Sequence, residues 1–376
     1  MCYISVVKLT AKVRLYPSDE QEGLLFATLR EANAACNEIA QHAWENKVFR
    51  QYDLHHAKYH AVKASFDLSA QMVVRCIAKV SDAYKLDRKR QRTFRELGSI
   101  AYDSRILSWK TDKVSIWCVG GRQKIPYRTG GSYLELLKYQ QGETDLAYIK
   151  GKWYLLTTCD VPSEEEESFN DVIGVDLGIT NIASDSDGNT YSGRELNALR
   201  KQREKVRASL QSKGTKSAKK VLKRISGRER TTTKIINHTI AKNLVAKAKR
   251  EGKAISIESL KGIRQSTNKR LRKSQKGLHN RWSFHDLKLK IEYKAERAGV
   301  TVITVPAAYT SKTCSYCKHI GKRSGESFNC TNCGHSDHAD VNGAKNIRGW
   351  GRIIDRPESS TLFCDISTFV RHVRQG

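Results

Sequence analysis

No apolar run in these 376 residues approaches the roughly 18 that a membrane-spanning helix needs. The opening M-C-Y-I-S-V-V-K-L-T is short and alternating, which suits a strand and not a signal peptide. Acidic residues are the second shortage. Asp and Glu number 39 against 67 Lys and Arg, a net charge of +28 with a pI near 9.7. That excess points to a polyanionic partner, most often nucleic acid, with an anionic membrane as the other option. The only acidic block is Glu164 to Glu167, read as a solvated linker between domains. Cysteine pairing is missing too. Six of the ten cysteines (Cys2, Cys36, Cys76, Cys118, Cys159, Cys364) stand singly, mostly among apolar neighbours, which suits a reducing compartment.

The length predicts two to three domains. Residues 3–16 alternate and are rich in β-branched residues, which predicts a strand that could break near Lys8. Pro17-Ser18-Asp19-Glu20 predicts a helix start, and apolar residues then recur at helical spacing to Asn46. Further helices are expected over about 51–65 and 69–97. The last ends in a basic run from Lys85 to Arg95, either a solvated face or a face on a phosphate backbone. From Ile100 to about Pro162, short alternating strands with Gly turns (113–119, 132–139, 152–159) predict a small β-barrel or sandwich. The N-terminal strand would join it, leaving residues 20–98 as a helical insertion.

Val172 to Thr180 reads V-I-G-V-D-L-G-I-T, an apolar run interrupted by one carboxylate, Asp176. Such a run predicts a buried strand. A charge inside it is costly unless something cationic pairs with it, and a metal is the simplest such partner. From this stretch alone, an Asp that merely begins a turn fits equally well. Residues 182–191 predict a hairpin turning at Asp187-Gly188. Residues 193–254 predict a long helical hairpin whose first arm covers 193–226. Ala254 to Leu260 predicts a second buried strand ending near another lone carboxylate, Glu258. The stretch 261–282 predicts a loop, Phe284 to Ala298 a helix, and Val300 to Val305 a third strand. Between Arg200 and Arg281 there are 27 Lys or Arg against 4 Asp or Glu, a local net of +23. That concentration exceeds what solubility needs and predicts a nucleic-acid track.

Cys314-x2-Cys317 and Cys330-x2-Cys333 lie 12 residues apart. Two such knuckles can wrap one tetrahedral Zn²⁺ with four thiolates, a closed and therefore structural site. His319, His335 and His338 lie nearby as competitors for a ligand place. The second constellation is Asp176, Glu258 and Asp340. In an RNase H-like fold, carboxylates on a central strand, its neighbour and a late helix converge at one sheet edge. Three hard oxygen ligands there can hold two Mg²⁺ ions about 3.5–4 Å apart. Spacing alone does not establish this set, because three carboxylates can be chosen from any chain.

From about residue 172 to 348 the chain resembles the TnpB family, transposon-encoded relatives of type V CRISPR effector nucleases. The matching pieces are G-V-D-L-G-I-T-N around Asp176, I-E-S-L-K-G-I around Glu258, and I-E-Y-K-A-E-R-A-G-V at 291–300. A-Y-T-S-K-T-C-S-Y-C at 308–317, F-N-C-T-N-C-G at 328–334 and H-A-D-V-N-G-A-K-N-I at 338–347 follow in the family's order. V-R-L-Y-P-S-D-E-Q at 13–21 extends the resemblance to the N-terminal part. Lys318 and Gly343 depart from the family's Gly and first Ala, and neither is expected to touch a proposed ligand.

The resemblance implies a multidomain α+β chain. Its parts are a β-barrel wedge domain (1–19 and 99–163), a helical recognition insertion (20–98), a linker (164–170) and an RNase H-like RuvC nuclease domain (171–308 and 335–350). A zinc ribbon (309–334) is inserted in the nuclease domain, and a tail (351–376) follows. It implies Asp176, Glu258 and Asp340 as catalytic Mg²⁺ ligands, with Zn²⁺ on Cys314, Cys317, Cys330 and Cys333. The implied partners are a guide RNA from the transposon end and target DNA cut beside a short motif, with a monomeric complex in the prokaryotic cytoplasm. Gln71, Arg75 and Lys79 are the candidates for contacts to that motif. A non-cleaving RNA-guided repressor and a zinc-ribbon RNA-binding protein are the alternatives.

Overall fold

The computed structural model describes residues 5–259, 283–307 and 309–355. The expected loop at 261–282 and the tail beyond Asp355 lie outside the described residues. The chain divides into two compact units, one of residues 6–161 and one of the rest, with Ser5 in the second. Among the described residues, no helix is long and apolar enough to cross a membrane.

In the first unit, β1 (Val6–Leu15) runs unbroken through Lys8, burying Val7, Ala11, Val13 and Leu15 while Lys8, Thr10 and Lys12 face out. Helix α1 (Asp19–Asn46) begins in a capping box. The Gln21 amide donates to Ser18 Oγ at 3.3 Å, and the Ser18 amide donates to Gln21 Oε1 at 3.2 Å. Helices α2 (Gln51–Ser65) and α3 (Ala70–Leu86) follow. The sequence predicts helix to residue 97, but α3 stops at Leu86. Asp87 turns extended, and the Arg92 guanidinium donates twice to the Asp87 carbonyl, at 3.1 and 2.9 Å.

The remaining elements of this unit are β2 (Ile100–Tyr102), β3 (Leu107–Trp109), β4 (Lys113–Cys118), β5 (Gly121–Arg128), α4 (Gly131–Leu137), β6 (Gln140–Tyr148) and β7 (Trp153–Pro162). Helix α4 corrects the strand expected at 132–139: seven residues are too few to display a helical period, and Leu136 and Leu137 turn in against Ala11, Cys159 and Val161. The sheet order is β2-β6-β7-β1-β5-β4-β3. Edge strand β2 approaches the far side of this sheet, with Tyr102 Oη donating to the Trp117 carbonyl of β4 at 3.2 Å. One core joins helices and sheet, including Leu25, Leu29, Ile77, Val114, Trp153 and Leu155.

In the second unit, β8 (Asp171–Asp176), β9 (Asn181–Asp185) and β10 (Thr190–Ser192) lead to α5 (Arg194–Lys213), α6 (Lys216–Ile225) and α7 (Arg228–Arg250). The arm expected as one helix over 193–226 is broken at Gly214, which takes φ 61°. Thr215 then caps α6 by accepting from the Ala218 amide. Strand β11 (Lys253–Glu258), α8 (Phe284–Arg297), β12 (Val302–Val305), β13 (Lys322–Ser324), β14 (Ser327–Asn329), β15 (Ser336–His338) and α9 (Ala339–Asp355) complete the unit. Helix α9 includes residues 351–355, which the sequence assigns to the tail.

The main sheet of this unit has the order β10-β9-β8-β11-β12. Strand β8 is central, antiparallel to β9 and parallel to β11, which is in turn parallel to β12. Both faces of β8 are covered, which is why it reads as a continuous apolar run. Ile173, Val175, Ile255 and Ile257 pack toward Leu244 and Ala248 of α7 and Leu287 and Ile291 of α8. Val172 and Ala254 pack on the other side against Ile347 and Trp350 of α9. Glycines set how closely α9 sits. A side chain at Gly174 would collide with the Ala344 carbonyl and the Arg348 amide, and one at Gly351 would meet Ser256 and Val172. Asp171 anchors the same helix through ion pairs with Arg348 and Arg352. Partial burial works to raise the Asp171 pKa, but these guanidinium bonds hold it down at about 2.

Residues 164–167 are exposed but not a free tether. The Glu164 amide donates to the Arg297 carbonyl at 3.2 Å and the Glu167 amide to the Gly299 carbonyl at 3.1 Å. Glu164 also pairs with Lys249, and Glu166 accepts from Thr301.

Candidate metal centres and nucleic-acid interface

Strand ends and one helix start bring the three carboxylates to a single edge. The parallel register that sets Ile257 beside Val175 places Glu258 and Asp176 at neighbouring strand ends. Asp340 is the second residue of α9, the helix that the glycines hold against β8. Like charges meeting at a partly closed site should resist ionising. Accordingly, burial together with the Glu258 and Asp340 carboxylates pushes Asp176 up to about 8, with Arg323 opposing. Burial also raises Glu258, against the Thr310 hydroxyl that donates to its Oε1.

The neighbours of this edge hold its carboxylates in place. Asp340 is buried, at 7% exposure, and takes Asn181 Nδ2 on Oδ2 at 3.0 Å and Arg323 Nη2 on Oδ1 at 2.7 Å. Arg323 belongs to β13, so the cysteine-rich lobe supplies the cation. Two asparagines of α9 tie down the loop that carries Thr310: Asn346 Nδ2 donates to the Thr310 and Thr313 carbonyls, and Asn342 Nδ2 to that of Thr313. Gly343 corrects one expectation. A Cβ there would stand 3.1 Å from Asp176 Oδ2, so this position does touch a proposed ligand. Since Gly343 lacks a positive φ, the space beside Asp176 is what glycine provides here.

The donor set fits a hard divalent cation: three carboxylates converge with one guanidinium to offset them. They converge loosely. Among the described residues, only the four cysteines bring three or more such ligand atoms within 4.8 Å of one another.

The four cysteines are already gathered. Cys314 Sγ lies 3.8 Å from Cys333 Sγ and Cys317 Sγ 3.4 Å from Cys330 Sγ. A tetrahedron of Zn–S bonds of ~2.3 Å has edges of about 3.8 Å, so the cluster fits zinc. The two knuckles share one geometry. The Lys318 amide donates to the Cys314 carbonyl and the Gly334 amide to the Cys330 carbonyl, each at 3.1 Å. Both take left-handed φ, 63° and 74°. Glycine adopts this freely, while Lys318 is steadied by donating Nζ to the Ser315 carbonyl at 2.9 Å. The His319 backbone amide, ahead of the neighbouring thiols, holds Cys317 down at about 6, which favours a thiolate ligand. The nearby histidines serve elsewhere: His335 stacks on Tyr316, and His338 Nδ1 accepts from the Asp340 amide at 3.2 Å.

Gln71, Arg75 and Lys79 share α3 with their polar groups turned to internal partners. Gln71 meets Asp103 and Arg105, and Arg75 pairs with Glu143. Lys79 Nζ donates to Asn33 Oδ1 at 2.7 Å and to the Ser99 carbonyl at 2.8 Å. Arg323, Asn181, Thr310 and Gly343 are the site residues that reading the sequence missed. Asn181, Thr310 and Gly343 lay inside motifs already singled out, in G-V-D-L-G-I-T-N, A-Y-T-S-K-T-C-S-Y-C and H-A-D-V-N-G-A-K-N-I, but without a role, while Arg323 lay in none.

The fold resembles those of solved Cas12 proteins. It resembles a solved Cas12f1-sgRNA-target DNA complex with a TM-score of 0.58 and 14% identity, covering 91% of this chain and 99% of that one. It also resembles CasPhi-2 (Cas12j) bound to crRNA, with a TM-score of 0.53 and 11% identity over 91% and 97%. Residues 155–261 match the family described as probable transposase, OrfB_IS605, and residues 284–347 match the Cas12f1-like TNB domain. The chain is 34% identical over 219 residues to a Cas12f1 endodeoxyribonuclease of Sulfoacidibacillus thermotolerans, covering 53% of this chain and 50% of that protein. It is 31% identical over 180 residues to the TnpB-like protein MJ0751 of Methanocaldococcus jannaschii, covering 44% and 64%. A putative RNA-guided DNA endonuclease, InsQ of Escherichia coli, is 29% identical over 226 residues, covering 54% and 55%. The chain is thus similar to TnpB and Cas12f proteins over parts of its length, and it spans about half the length of the Cas12f1 relatives it matches.

The raised Asp176 gives a pH prediction. Its pKa lies near 8 in the folded metal-free protein and near 4 when unfolded. The folded state therefore takes up the extra proton, and that stability is full below pH ~4 and is lost as pH rises through about 8. Without divalent ions, the melting temperature should fall between pH 5.5 and 8.5. Added Mg²⁺ should restore it more at pH 8.5, and Asp176→Asn should flatten both trends. A Mg²⁺ effect of equal size at the two pH values would contradict the shift.

Gly343→Ala tests the space beside Asp176. Alanine gains ~0.5–1 kcal/mol of helix propensity, so the melting temperature should hold or rise slightly. The new methyl crowds Oδ2, so half-maximal activation should need several-fold more Mg²⁺. An unchanged Mg²⁺ requirement would show that the carboxylate has room to spare.

Proposed function

We propose that the chain is an RNA-guided DNA endonuclease of RuvC type that cuts guide-matched DNA beside a short motif. The observation that carries this reading is the convergence of Asp176, Glu258 and Asp340 in a chain related to TnpB and Cas12f proteins. In this reading the second unit is an RNase H-like nuclease domain carrying the zinc ribbon, and the first is a wedge barrel with a helical recognition insertion. Asp176, Glu258 and Asp340 would hold Mg²⁺, which would supply Lewis-acid chemistry for phosphodiester hydrolysis. Arg323 holds Asp340 in place, Asn181 and Thr310 fix the oxygens they bond, and α9 keeps Asp340 against β8. Base pairing would carry sequence and the protein would bind backbone shape, which suits a broad basic surface. Gln71, Arg75 and Lys79 remain motif-reading candidates if target DNA displaces their internal partners.

Purification with its flanking DNA co-expressed tests the guided part of this reading. One discrete RNA from the transposon end should copurify, and its sequencing would define the guide. Recovery of host RNA without a dominant species would favour a general RNA-binding protein.

A further inference from the structure

The basic track contains one shaped site. Helices α5 and α7, with the start of α8, border an open cavity of about 420 Å³ lined by Arg200, Arg207, Arg230 and Lys234, with Glu229 and Asp286 on its walls. Arg200 and Arg207 are two turns apart on α5, and Arg230 and Lys234 are one turn apart on α7, so each pair shares a helix face. Both carboxylates are already engaged: Glu229 faces Arg200 Nε at 3.3 Å, while Asp286 takes Lys290 at 2.6 Å and Asn237 at 2.8 Å. Arg207, Arg230 and Lys234 make no hydrogen bond or ion pair with the described residues. Arg230 and Lys234 are like charges at i and i+4, which oppose the helix that carries them, and two carboxylates face four cations in this lining. Lys219, Lys220, Lys223 and Arg224 of α6 are exposed, as Arg207, Arg230 and Lys234 are, but line no such cavity.

We propose that this cavity is a fixed phosphate-binding site that seats a phosphodiester of the bound nucleic acid. Guanidinium groups bind phosphate oxygens in paired, directional contacts, and a lysine adds a compact charge. Residues from two helices converging on one anion would fix the register of the strand, whereas the α6 cations attract it without placing it. The site rests on the nucleic-acid reading above and sharpens it, because cations inside the track are then unequal.

The test compares two full-length double variants that lose the same charge, Arg230→Ala with Lys234→Ala, and Lys219→Ala with Lys223→Ala. Binding of the copurified RNA and of an unrelated DNA duplex is measured over a salt series. Melting temperatures without ligand check that both variants fold. The cavity variant should lose about tenfold or more in affinity, with the log–log salt slope reduced by about 1 to 2. The α6 variant should lose less than about threefold. A loss confined to RNA or to DNA would identify which strand the cavity seats. Equal losses in the two variants would overturn the cavity while leaving the nucleic-acid reading intact. If the wild-type protein binds neither nucleic acid, both fall.

Discussion

Asp176→Ala is expected to abolish cleavage of guide-matched DNA while leaving binding of RNA and target within about twofold. Asp176 ends the central strand, and burial and two carboxylates already push it to about 8. Removing it eases that repulsion, so the fold should not suffer. On the proposed function, what is lost is a metal ligand. Metal stabilisation of transition-state charge contributes several kcal/mol, and at 1.36 kcal/mol per decade the cleavage rate should fall by ~10³-fold or more. Rates from single-turnover cutting and affinities from filter binding would be read on the same preparation. A variant that cuts within tenfold of wild type would take Asp176 out of the metal site. A variant that loses target binding in proportion would make it a structural residue instead.

Stripping zinc is expected to have the second largest effect, reaching beyond the ribbon itself. Phe328 and Cys330 are buried with Cys314 and Ala339 in a small cluster that has little apolar area of its own. Structural zinc sites supply ~10–16 kcal/mol of apparent binding free energy, so the three strands β13–β15 should not persist without it. Arg323 pairs with Phe328 in that sheet and bonds Asp340. Losing the sheet frees the guanidinium and removes the anchor at the start of α9. Chelation, or Cys330→Ser, should therefore abolish cleavage while most of the helical signal in circular dichroism is retained. Cleavage that survives with zinc shown by metal analysis to be absent would make the ribbon dispensable for the carboxylate site.

Local chemistry made much of this architecture readable. The capping box at Ser18 and Gln21, the alternation in β1, the apolar run of β8 and the Asp187-Gly188 turn are each set by neighbours in sequence. Failures fell where a distant contact decides. Nothing between Leu86 and Leu97 forbids helix, and α3 ends where Asp87 and Arg92 fold back on each other. Helix α4 is too short to show a period, and its seat against Ala11 and Val161 is formed by other elements. Asp176 and Glu258 announced themselves as lone charges beside apolar runs, and Asp340 stood at an expected helix start. Their partners did not, because Asn181 and Asp340 are 159 residues apart and Arg323 looks like any exposed lysine or arginine of a hairpin. Gly343 read as a neutral departure until α9 was seen to lay it on Asp176.

Cutting of a plasmid library that carries a guide-matched target beside a randomised flank tests the central claim most directly. The purified protein with its RNA should cut matched plasmids bearing one short flanking motif, only with a divalent cation present, and should leave unmatched plasmids whole. Cutting that ignores the match, or no cutting across all flanks with Mg²⁺ and zinc both supplied, would contradict the account.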